Sequence, residues 1–235
     1  MLDFSAAFDT DLEVGEGPVL YDPEAVPEKS ELPKDLPTSY LTHPVKFASL
    51  MWPDLTLYPK QREILMSLRD NIQTFVHAGN ELGKDFISGL AVPWFFMSRS
   101  PCRVITSSAG ETQLKSVLWG EIAERLYTAR YKFPFRVTHL SIKQIDKDGR
   151  EIPLSYCLGH VTKTVENFQG HHLDHDIPRV LGLFDEASGI GDQYWEAAQS
   201  WMHRALVIGN PLNTCLLYTS PSPRDRTRSR MPSSA

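Results

Sequence analysis

The sequence predicts an α/β fold, on three observations. Short apolar runs (IQTFVHA, CRVITSS, RVLGLF and ALVIG) alternate with longer stretches whose apolar residues recur at helical intervals. A strand-like run passes through a glycine turn straight into a helix at KDFISGL. Two of the later runs end in polar residues, Asp185 and Asn210, and ligands of open α/β sheets sit at the carboxyl ends of their strands. With 235 residues the chain can bury one domain with appendages, and no apolar run approaches the ~20 residues needed to span a bilayer.

Taken in order, residues 1–45 are acidic and proline-rich without apolar periodicity, and are expected to form a flexible arm. The domain proper is expected over residues 46–214. KQREILMSLRDN places Ile64, Leu65 and Leu68 on one helical face, and IQTFVHA reads as the first strand. The helix KDFISGLAVPWFFMS contains Pro93, where a kink is expected. CRVITSS is a second strand, and QLKSVLWGEIAERLY spaces Leu114, Val117, Leu118, Ile122 and Leu126 helically. From Phe135 to Val161 the period becomes two, with DKDGRE as a turn, so an inserted β-hairpin is expected to decorate the sheet. RVLGLF and ALVIG are parallel-type strands separated by the helical WEAAQSWMHR. The Ser/Pro/Arg-rich residues 215–235 break every preceding pattern and are read as a non-native read-through tail.

The net charge of -5 is unevenly spread: residues 1–35 hold ten acids against two lysines, whereas residues 215–235 hold four arginines against one aspartate. No global basic field announces a nucleic-acid partner, so any such contact has to be local. Cys102, Cys157 and Cys215 show no C-x-x-C spacing, which argues against a zinc site or a disulfide framework. The acidic N-terminus lacks the basic start of a secretory signal.

Two motifs carry chemistry. AGNELGKD, Ala78 to Asp85, nearly fits the phosphate-loop pattern G-x-x-x-x-G-K-[ST], in which backbone N–H groups wrap phosphate oxygens and a lysine, here Lys84, reaches the terminal phosphates. Ala78 replaces the first glycine and Asp85 stands where Ser or Thr normally binds magnesium. About a hundred residues later, VLGLFDEA ends an apolar strand in Asp185 and Glu186, the carboxylates that a phosphate-loop ATPase needs for magnesium and for polarising the attacking water. Gln61 in LYPKQ has an amide that can both donate to and accept from an adenine edge, and Asn210 in IGNP could sense the terminal phosphate.

In this order LYPKQ, AGNELGKD, ITSS, LFDEA and IGNP resemble the ATPase domain of tailed-bacteriophage terminase large subunits, over roughly Val45 to Thr214. The resemblance implies a P-loop NTPase fold of the RecA/ASCE-like kind, with ATP as substrate and Mg2+ as cofactor. It makes Gln61 the adenine-motif glutamine and Ala78, Gly79, Asn80, Glu81, Leu82, Gly83, Lys84 and Asp85 the nucleotide-binding loop. Lys84 becomes the Walker A lysine, Asp185 the magnesium ligand with Asp85 beside it, Glu186 the catalytic glutamate, and Gly209, Asn210 and Pro211 the motif coupling hydrolysis to DNA movement. It further implies double-stranded DNA as the translocated partner, a portal protein, a small terminase subunit, a homo-pentamer on the procapsid in the host cytoplasm, and a following nuclease domain. Many members carry an arginine inside the loop, where this chain has Asn80.

Other readings stay open at this level. A helicase-like translocase uses the same two motifs, and a nucleotide-binding module without turnover would accommodate Ala78 and Asp85. HHLDHD, His171 to Asp176, fits no tetrahedral zinc spacing. Residues 125–150 interleave seven Lys/Arg with Tyr127, Tyr131, Phe133 and Phe135, a pattern that suits either a DNA-tracking surface or a solvated helix face and hairpin.

Overall fold

The computed structural model describes residues 29–77, 83–161, 168, 170–171 and 178–209. Helices α1 (Thr38–Thr42), α2 (Pro44–Met51) and α3 (Pro59–Asp70) lead into strand β1 (Gln73–His77). There follow α4 (Lys84–Ser98), β2 (Arg103–Ser108), a π-helical stretch (Gln113–Leu118) continuing into α5 (Trp119–Thr128), and the strands β3 (Phe135–Thr138), β4 (Ser141–Ile145) and β5 (Glu151–Val161). Strand β6 (Val180–Asp185), a 3-10 turn (Ala187–Gly189), α6 (Asp192–Gln199) and β7 (Arg204–Gly209) complete the described chain.

The strands form one seven-stranded sheet in the order β1-β7-β6-β2-β5-β4-β3. From β1 to β5 every pairing is parallel, whereas β5-β4 and β4-β3 are antiparallel. Alternation along the buried strands sorts their side chains onto two faces. Val104, Leu181, Leu183, Leu206 and Ile208 pack under α2 to α5, while Ile105, Phe184, Ala205 and Val207 face α6 with Trp195 and Trp201. Three layers result, and the expected α/β fold is observed.

Two expectations need correction. The arm does not extend to residue 45: α1 and the start of α2 are helical, and Ser30 forms a parallel bridge to Tyr131. Pro44 and Pro59 each occupy a helix's first position, where the missing N–H costs nothing and the fixed φ suits the helix, so Pro44, counted with the arm, is instead a helix start. The expected β-hairpin is observed as β4-β5, and it extends the sheet, with β5 bonding β4 on one side and β2 on the other. Asp146 Oδ1 accepts from the N–H groups of Asp148 and Arg150 (2.8 and 2.9 Å) to make the predicted turn. Leu154, at φ 64, then lies between the turn and the residues that pair with β2. The aromatic interleaving of residues 125–150 is in part core: Phe133 and Phe135 are fully buried and stacked, with ring centroids 5.2 Å apart. Helix α4 runs on through Pro93 to Ser98.

Candidate active site

The parallel strands all point their carboxyl ends to one edge, and four predicted side chains meet there. Lys84 opens α4 and is buried; its Nζ forms an ion pair with Glu186 Oε1, across 102 residues of sequence. Asp185 ends β6 with no exposed surface. Asp85 lies in the first turn of α4, close enough for its charge to act on the Asp185 carboxyl group. Strand β7 lies between the strand that leads toward the loop and the strand that ends in Asp185, so the two motifs converge over its end, Gly209, which is buried.

The local backbone explains these placements. Gly83 is left-handed (φ 72), which turns the chain into α4 and leaves Lys84 and Asp85 at the positive end of the helix dipole. A Cβ at Gly83 would lie 2.9 Å from Gln61 Nε2, so a larger residue would displace that amide as well as strain the backbone. Glu186 is left-handed too (φ 47, ψ 44), a conformation that costs a non-glycine residue roughly 1–3 kcal/mol. The chain breaks sharply after β6 as a result, and the Glu186 side chain meets Lys84.

Electrostatics at this edge are unfavourable to the carboxylates as they stand. Burial first, and the Asp85 charge second, push the Asp185 carboxyl up from 3.8 to about 6. Burial likewise raises Asp85. Oδ1 of each lies buried without a hydrogen-bond partner among the described residues. Paired acids with orphaned hard oxygens are the donor set of a divalent cation, so the residues present fit Mg2+.

Gln61 is brought to the same edge by α3. Its Oε1 accepts from the Tyr58 N–H (3.0 Å), capping the helix, while its Nε2 faces the loop at Gly83. The amide therefore keeps donor capacity and one oxygen lone pair. Beside it lies a cavity of about 570 Å3 lined by Tyr58, Gln61, Ile64, Thr74, Val76 and His77. A second cavity, of about 600 Å3, is lined by Trp52, Asp54, Arg125 and Arg130 among others, none of them a candidate site residue.

Ala78, Gly79, Asn80, Glu81 and Leu82, and likewise Asn210 and Pro211, lie outside the described residues. Of HHLDHD only His171 is described; it is buried, with Nδ1 3.1 Å from the Tyr156 hydroxyl. Nearby, burial pushes His160 down from 6.5 to about 4. Sequence reasoning missed Gln113, whose Nε2 donates to Asp185 Oδ2 at 3.1 Å. The available signal, a polar residue at the start of a helix following a strand, is too common to have singled it out.

No protein-family model matches the sequence, and comparison with curated proteins finds no match. Solved structures are similar. An arginine-to-alanine variant of the Thermus phage P74-26 large terminase ATPase domain shares 18% identity over 74% of this chain and 72% of that one, with a TM-score of 0.57. The unsubstituted domain from the same phage gives 18% identity, the same coverage and a TM-score of 0.52. The large terminase of another thermophilic bacteriophage gives 16% identity and a TM-score of 0.51 over 66% of this chain, which spans only 39% of that protein. Built from a mostly parallel seven-stranded sheet flanked by helices, this chain has an α/β fold similar in architecture to the ATPase domains of phage large terminases.

Proposed function

We propose that this chain is an ATP-hydrolysing motor domain that drives double-stranded DNA into a viral procapsid, the task of a terminase large subunit. One observation carries the reading: Lys84, Asp85, Asp185 and Glu186, separated in sequence, converge at the carboxyl edge of the sheet beside the cavity at Gln61. The architectural likeness to large-terminase ATPase domains supports it.

The residues divide the work by their chemistry. The N-terminus of α4 offers unpaired N–H groups and a positive dipole to phosphate oxygens. Lys84 Nζ, paired with Glu186, exchanges that carboxylate for the terminal phosphates. Glu186, released, orients a water and accepts its proton as the water attacks the γ-phosphorus and the bond to the bridging oxygen breaks. Asp185 and Asp85 would hold Mg2+, which when bound supplies charge neutralisation across the phosphates. Gln61 presents its amide to the adenine edge from the wall of the cavity. Gly209, at the end of β7, would begin the segment through Asn210 and Pro211 that passes the change on to DNA. A portal protein, a small terminase subunit and a five-membered ring of copies in the host cytoplasm belong to the same reading.

The test is magnesium-dependent ATP hydrolysis by the whole chain. Glu186→Gln is expected to keep ATP binding and lose turnover by roughly 10²–10⁴-fold. Hydrolysis at the wild-type rate in that variant would remove Glu186 from the mechanism, and ATP binding by neither protein would remove the reading itself.

A further inference from the structure

The helix that follows β2 is not regular where it passes the site. Gln113–Leu118 is π-helical, a rare geometry that occurs mostly as single turns and frequently at functional sites. Gln113, its first residue, bonds Asp185. At the other end of the stretch Trp119 Nε1 donates to Thr106 Oγ1 of β2 at 2.9 Å, and Trp119 packs so closely on Gly159 of β5 that a Cβ there would lie 2.6 Å from it. The connection from β2 is also tight: Ser108 is the Cα partner of Asp185, and a Cβ on Gly189 would lie 2.5 Å from that of Ala109. Gln113 is thus held at the start of its segment beside the loop that carries Asp185 and Glu186, while the far end of the segment is anchored on β2 and β5.

The kind of donor matters. A lysine or arginine at this place would neutralise the Asp185 carboxylate and compete with a cation for it. An amide satisfies Oδ2 and leaves the charge intact, with Oδ1 buried and unpartnered among the described residues. Resting on the ATPase reading above, we propose that Gln113 is a positioning residue of the cation site: it holds Asp185 by one oxygen so that the other is presented, oriented and charged, to the metal.

The probe is Mn2+, titrated into the whole chain with a non-hydrolysable ATP analogue and followed by the magnetic resonance signal of the free ion. Gln113→Met keeps the length and helix preference of the side chain and removes the donor. It is expected to weaken Mn2+ binding by roughly 10–100-fold while leaving metal-free binding of the analogue unchanged. Gln113→Lys gives the second arm. Its ammonium should pair with Asp185, raising the melting temperature of the metal-free protein and lowering its Mn2+ affinity, an opposition that a merely structural glutamine would not produce. Wild-type Mn2+ affinity in either variant overturns the assignment. A wild-type chain that binds no Mn2+ with the analogue overturns the ATPase reading, and this assignment with it.

Discussion

The two edges of the parallel sheet both bury charge, and they hold it differently. At the amino edge lie Arg99, Arg103 and Arg179. Arg99 donates from Nε to the Pro178 carbonyl (2.8 Å) and sits over the rings of Trp94 and Phe95, its centre 5.0 and 4.1 Å from their centroids. Arg179 bonds the carbonyls of Ser100 and Pro101, and Arg103 lies over Tyr156. Burial pushes Arg99 down only to about 10, so it remains charged at neutral pH. Most of these partners are backbone oxygens and aromatic rings, which cannot leave. At the carboxyl edge the partners are side chains, Lys84 for Glu186 and Gln113 for Asp185, with like charges left facing each other. The contrast teaches that a buried charge with fixed neutral partners serves the fold, whereas one with exchangeable partners is poised for a ligand.

The comparison can be broken or sharpened by substitution. The largest effect is expected at the amino edge: Arg179→Met should cost on the order of 4 kcal/mol, since two carbonyls lose a charged donor in a site only 9% exposed. Denaturant titration at neutral pH would show it, and an unchanged midpoint would mean that this edge is not structural. Asp185→Asn should act in the opposite sense. A carboxyl whose folded value is raised from 3.8 to about 6 favours the fold in its protonated form, so that contribution is present below about 4 and is lost as pH rises through about 6. Metal-free Asp185→Asn should therefore gain up to about 3 kcal/mol over wild type at pH 8, with the gain fading toward pH 4. Equal stability at both pH values would refute the buried-charge account. The smallest effect is expected from Asp85→Ala, because Asp85 is only half-buried. A gain below about 1 kcal/mol without metal, with a higher magnesium requirement for nucleotide binding, is the expected pair, and an unchanged magnesium requirement would mean the side chain does not face the cation.

What could be read from the sequence was whatever is encoded locally. Strand runs ending in polar residues, a glycine before Lys84 and an Asp-Gly turn each declare themselves within a few residues, and the structure places Asp185, Gly83 and the β4-β5 turn accordingly. Long-range matters were not legible. That Glu186 pairs with Lys84, or that Gln113 reaches Asp185, depends on β7 and β2 flanking β6 in the sheet, and nothing in the sequence states that order. Composition misled in two places. Proline and acid content hid the helix start at Pro44, and the basic residues around Phe133 and Phe135 gave core rings the look of a nucleic-acid surface.

The place of β7 has a mechanical consequence. It is an interior strand, bonded to β1 over Ala205–Gly209 on one side and to β6 over Arg204–Val207 on the other, both parallel to it. A load applied at Gly209 along the strand direction is therefore borne in shear by two ladders at once, rather than peeling hydrogen bonds one at a time as it would from an edge. One of those ladders belongs to the strand that ends in Asp185 and the other to the strand that runs toward Lys84. Tension at the end of β7 is delivered to both halves of the site together, and a displacement that begins at the site reaches Gly209 with little slack.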